Sequence, residues 1–336
     1  TVLVLPGTYD RPDDQELEFV TSSSNGTTSG KNIVLMSRDG AAATFLDGEN
    51  KRVFDIDIPS NMRGHSNNTV TDTTLHIIGF TITATRGGED GYSGGAVVSI
   101  GGDYWWVQGG GPGSQYTQYN PGGVTFKNCI FTMFESGDLE AESDWKIAAV
   151  DINPGIAIFD NCEFKNITVD YSDVTIDQAG GAIRIGDPFS TNAGYGRVYI
   201  NKSKITNNTI KRNNAYHLHA AAIMVGASAS NFASITNTII ADNLAHLQFN
   251  NNNYNADGGA IKMNGGQLQL INSTIVNNEL KTDGGYAEGS AIAVSDWNDD
   301  GDSPYITMFN SIVHGNTVTT NNGSNQHNQI KIDDWS

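Results

Sequence analysis

The sequence predicts an all-β solenoid: a right-handed single-stranded parallel β-helix of roughly eight to nine coils, one domain over residues 1–336, with long loops on one rim. Three observations predict it. Two short apolar lines alternate along the chain at a spacing mostly in the thirties. Asn recurs at one position of the first line. No stretch longer than about ten residues keeps a 3.6-residue period, so no helices separate the strands.

The opening TVLVLPGTYD reads as a strand without a secretory signal before it, as a mature or excised segment would. KNIVLMS at 31–37 and LHIIGFTIT at 75–83 read as degenerate copies of the first line. Its regular form follows as VTFKNCIF from Val124, AIFDNCEF from Ala157, VYINKSKI from Val198, SITNTII from Ser234, LQLINSTIV from Leu268 and ITMFNSIV from Ile306. The second line lies between them: GGAVVSI from Gly94, AAVDIN from Ala148, GGAIRIG from Gly180, AAIMVG from Ala221, GGAIKMN from Gly258 and GSAIAVS from Gly289. A propeller blade would need four hairpin-joined strands per unit, and a βαβ unit would need a helix. Stacked coils about 4.8 Å apart satisfy the pattern, with equivalent residues forming ladders along the axis.

Each ladder has a chemical reason. Asn128, Asn161, Asn237, Asn272 and Asn310 mark a repeated tight bend, because Asn tolerates left-handed dihedrals. One coil puts Lys202 there, with Asn201 one step early. The next inward slot is small (Cys129, Cys162, Ser203, Thr238, Ser273, Ser311) and a large apolar residue follows two positions later, which fills a narrow core. The Gly-Gly-Ala corners suit a close turn against the neighbouring coil.

Apolar residues make up 38 % of the chain and charged residues 17 %, below typical globular values of roughly 45–50 % and 25 %. Acids outnumber bases 37 to 19, a formal charge of −18. That balance disfavours nucleic acid and anionic membranes, which need a basic footprint. No apolar run is long enough for a membrane span.

GGAI together with N-S-x-I-x-x-N resembles the repeats of the polymorphic outer-membrane protein and "choice-of-anchor" groups of secreted bacterial β-helix proteins, over roughly residues 75–332. VLPGTYD at 4–10 is similar to the opening strand of many right-handed β-helix proteins, pectate-lyase-like ones included. The resemblance implies the fold and an extracellular or cell-surface setting. It implies no reaction, since these groups differ in chemistry.

Candidate sites are scattered. Cys129 and Cys162 are 33 residues apart, one coil, and so stack as either a rung-to-rung disulfide or two buried thiols. The segment from Asp296 through Asn298, Asp300 and Gly301 to Asp302 matches the first half of a calcium loop, with alternate oxygens converging on one Ca2+ ion. Thr307 stands where a closing Glu would be, and a solvated acidic loop is the alternative. Loop aromatics Trp145, Tyr171, Tyr216, Tyr254 and Tyr286 lie near acids and amides in a pattern that suits glycan stacking, or loops packed over the coil edge. A β-helix lyase would need a base and a group that neutralises a uronate. Asp151, Arg184 and Lys262, outward on the second line, are the candidates, with Asp151 and Arg184 expected as a surface ladder salt bridge. No Gly-His-Gly segment of a hydrolase is present, and the Asp-Asp pairs at 13–14, 299–300 and 333–334 read as loop or terminal residues.

Neither terminal segment carries a capping helix, and Gln329–Asp333 reads as one more second-line strand. The expectation is a secreted structural or adhesive protein that self-associates through its coil ends, with filaments one form of assembly and glycans as further partners. Its rivals are a polysaccharide lyase or glycoside hydrolase, and a calcium-stabilised carbohydrate-binding module.

Overall fold

In a computed structural model the chain is an all-β solenoid of stacked parallel strands. The structure describes residues 1–10, 17–18, 33–48, 53–58, 75–84, 97–102, 104–108, 115–119, 123–133, 148–153, 155–171, 181–186, 196–213, 217–218, 220–248, 255–284, 286–295, 304–321 and 328–333. Among these residues no helix occurs, and none is long and apolar enough to cross a membrane.

Three long sheets run along the axis. Sheet I holds the first-line strands in sequence order, from Val2–Val4 through Gly123–Lys127, Gly155–Asp160, Gly196–Asn201, Phe232–Thr236 and Gln267–Ile271 to Tyr305–Phe309. Sheet II follows each corner, from Gly7–Asp10 to Ile312–His314. Sheet III holds the second line, from Leu17–Glu18 through Val150–Ile152, Ile183–Ile185, Ile223–Val225 and Ile261–Met263 to Ile330–Asp333. Every pairing within these sheets is parallel; the antiparallel pair Tyr104–Gln108 with Gln115–Tyr119 stands outside them. About five turns between Asn128 and Asn310 repeat regularly.

The corner ladder forms as the sequence predicts. Asn128, Asn161, Lys202, Asn237, Asn272 and Asn310 all have φ between 48° and 54°. Asn161, Asn272 and Asn310 each donate Nδ2 to the Oδ1 one rung back, at 2.8, 3.4 and 2.7 Å. In the exceptional coil the two jobs separate: Lys202 takes the left-handed dihedral, while Asn201 accepts from Asn237 Nδ2 at 3.2 Å and donates to Asp160 at 3.0 Å.

The core interlocks as large and small layers. Phe126 stacks on Phe159, and Phe131 on Phe164 at 4.5 Å between centroids, with edge-to-face contacts across the two columns. The small slot does more than fill space. Its hydroxyls accept main-chain N–H groups from the previous rung: Ser203 from Cys162, Thr238 from Ser203, Ser273 from Thr238 and Ser311 from Ser273, at 3.0–3.3 Å. At the second-line corner a Cβ on Gly181 would lie 1.7 Å from the Ala221 carbonyl oxygen, so only Gly fits.

Candidate functional site

Among the described residues a second Asn ladder runs through the interior. Asn208, Asn243, Asn278 and Asn316 are nearly fully buried. Each Oδ1 of Asn243, Asn278 and Asn316 accepts both the main-chain N–H and the Nδ2 of the Asn one rung back. Gln329 Oε1 terminates the series by accepting both from Asn316. An additional row of sheet II strands, Thr209–Asn213, Leu244–Gln248, Glu279–Thr282 and Thr317–Thr320, follows these residues. The sequence signal for it is the second Asn of N-S-x-I-x-x-N, and its bonding forms only where coils stack.

On sheet III the register sets Ser99, Asp151, Arg184, Met224, Lys262, Ala293 and Lys331 in one column. Arg184 donates Nε to Asp151 Oδ1 at 2.7 Å and Nη2 to Oδ2, a fork-to-fork pair. The pair is not at the surface as expected from alternation, since Arg184 is 1 % and Asp151 6 % exposed. The sheet III strands here are buried at outward as well as inward positions, so alternation could not reveal the cover. Among the described residues Arg184 Nη1 has no hydrogen-bond partner. Lys262 is buried as well and donates to Asp257 at 3.2 Å; Lys331 pairs with Glu288, one rung on from Asp257. Each cation in the column therefore meets a carboxylate. An arginine held this way is a fixed positive plate and no base, because guanidinium does not deprotonate in proteins. The arrangement suits locking rungs together, or orienting one acceptor at Nη1.

Cys129 and Cys162 are buried free thiols. Flanking registers, Lys127 with Asp160 and Ile130 with Glu163, place them on adjacent rungs. Each Sγ lies against main-chain carbonyls, Cys129 near Ile77 and Lys127, Cys162 near Phe126 and Asp160. Burial, reinforced by Cys129, pushes the Cys162 thiol well above its ordinary value.

Asp296, Asn298, Asp300 and Asp302 lie outside the described residues, as do Trp145, Tyr216 and Tyr254. Tyr171 ends the strand Glu163–Tyr171 and Tyr286 begins Tyr286–Glu288; their side chains also lie outside what is described. Among the described residues no group of three His, Cys, Asp or Glu could hold a metal ion.

The end rungs differ from all others. Among the described residues, every exposed large apolar side chain except Ile239 lies on the first two rungs or the last. Several belong to inward ladders. Val2 is 55 % exposed, while its ladder mate Ile77 is fully buried. Met308 is 37 % exposed above a buried Leu270, and Ile332 is 63 % exposed beside a buried Val294. A cavity of about 440 Å³, lined by Asn272, Ser273, Thr274, Met308, Asn310, Ser311 and Ile312, opens at the last corner.

Fold and site together define a β-solenoid protein. Compared with family models, curated proteins and solved structures, the chain matches none of them.

Proposed function

We propose that the chain is an extracellular or cell-surface structural and adhesive rod, lengthened end to end by further copies of itself. One observation carries this reading: the inward side chains Val2, Met308 and Ile332 on the first and last described rungs are exposed, while their ladder mates Ile77, Leu270 and Val294 are buried. Among the described residues sheets I, II and III each start and finish on a parallel strand, and a parallel strand of a second copy is the partner such an edge accepts. The nine-strand order of sheets I and III supports eight to nine coils, and the chirality of parallel crossovers supports right-handed winding. The resemblance in the GGAI and NSxI repeats supports secretion. The test is sedimentation velocity and negative-stain electron microscopy of the chain and of a Met308→Lys/Ile332→Lys variant. The chain should form rods that grow with concentration, and the variant should stay monomeric. A chain that stays monomeric at high concentration overturns the reading.

The partnerless Nη1 of Arg184 favours one rival, a polysaccharide lyase or glycoside hydrolase using Asp151, Arg184 and Lys262. New reducing ends or unsaturated products that vanish in Arg184→Ala would displace the structural reading. Calcium at Asp296–Asp302 predicts a melting temperature lowered by chelation.

A further inference from the structure

The last four strands of sheet I share one outer face. From Gly196–Asn201 to Tyr305–Phe309 the strands alternate, burying residues such as Val198, Ile235 and Leu270 and turning the intervening ones outward. Three outward positions on each of these four strands include no Asp or Glu, although the chain has 37 acids. Aromatic rings, amides and hydroxyls fill ten of the twelve, and Arg197 and Ile271 the other two. Tyr199 and Phe232 meet ring to ring at 5.6 Å with planes 54° apart. The register sets Gln267 beside Phe232 and Gln269 beside Ser234, whose hydroxyl is 3.1 Å from Gln269 Oε1. Tyr305, one rung beyond Gln267, is 52 % exposed.

We propose that this face binds a neutral hexopyranose polysaccharide, laid across the strands along the solenoid axis. Half-buried aromatic rings offer an apolar platform for the C–H faces of a sugar, and the neighbouring amides both donate and accept toward its hydroxyls. Rungs repeat at about 4.8 Å, close to the length of one pyranose unit, so successive residues of a glycan meet equivalent columns. Charge sets the class of ligand. The net −18 disfavours polyanions; on these four strands Arg197 is the one charged outward side chain, and no carboxylate there has to be desolvated beneath an uncharged chain. The inference goes beyond end-to-end assembly and does not depend on it.

The test is affinity electrophoresis of the full chain through gels containing hydroxyethylcellulose, glucomannan, xylan or polygalacturonate. At least one neutral polysaccharide should retard the chain. Tyr199→Ala/Phe232→Ala should weaken that retention about tenfold or more, as expected for loss of an aromatic anchor, while circular dichroism shows the β-structure retained at the assay temperature. Met308→Lys/Ile332→Lys should retain it, which separates this site from assembly. The proposal is overturned if no neutral polysaccharide retards the chain, if only polygalacturonate does, or if retention survives the double substitution.

Discussion

Replacing Asn243 by Ala removes the middle of the buried amide ladder. Its Oδ1 accepts Asn208 N–H at 3.1 Å and Asn208 Nδ2 at 2.9 Å; its Nδ2 donates to Asn278 Oδ1 at 2.7 Å and to the Ile205 carbonyl at 3.0 Å. After truncation the Asn208 N–H is a buried donor without an acceptor, which costs about 2–3 kcal/mol. Asn208 Nδ2 keeps the Phe164 carbonyl, and Asn278 Oδ1 keeps the main-chain N–H of residue 243, so these losses add only about 1 kcal/mol. The expected destabilisation is about 3–4 kcal/mol. The exposed corner ladder supplies the contrast. Asn237→Ala keeps a left-handed φ of 51° and should cost about 1 kcal/mol, while Asn237→Gly should cost almost nothing. Urea unfolding followed by circular dichroism reads the global effect. Hydrogen exchange at the Asn208 amide reads the local one, since a solenoid opens in segments. If Asn243→Ala costs no more than Asn237→Ala, the buried ladder does not stabilise the fold as argued.

Three further outcomes follow from the same geometry. Lys202→Asn should stabilise the chain by up to about 1 kcal/mol in urea melts, because Asn tolerates the φ of 50° that Lys is forced to hold. Asp151→Asn should cost about 3–5 kcal/mol by leaving a buried guanidinium uncompensated, whereas Asp151→Leu/Arg184→Met should recover most of that loss in thermal melts. Burial holds the His246 pKa below 6.5, against the opposing pull of Asp283, with Lys211 and Lys281 on the adjoining rungs. The unfolded chain therefore takes up this proton more readily, and stability should fall as pH drops below about 6.5; His246→Gln should flatten that part of a pH–stability curve.

The backbone design was legible in the sequence because it is periodic. Asn at the first corner, the small slot at Cys129 and Ser203, and paired glycines at the second corner are each answers to one local constraint repeated many times. The corner at Lys202 was legible as an exception, though its division of labour with Asn201 was not. What depended on neighbours one coil away was harder to read. The hydroxyls of Ser203 and Thr238 look like filler in a linear sequence, and only the stacked coil shows the N–H groups they accept. Arg184 was expected at the surface because alternation reports which side of a sheet a residue faces and not what lies over that side. Trp145 and the calcium candidates fall in the stretches 134–147 and 296–303 between the periodic lines, and such stretches differ in length from repeat to repeat and carry no periodic signal.

The spacing of the corner asparagines carries one last consequence. Asn237 and Asn272 stand 35 residues apart and occupy equivalent places on adjoining turns. Excising 237–271 would join Thr236 directly to Asn272, restoring the same bend, the same small slot and the same inward pattern one storey higher. Such a molecule is a ruler graduated in whole turns, which gene duplication or deletion can lengthen or shorten without disturbing the marks on either side.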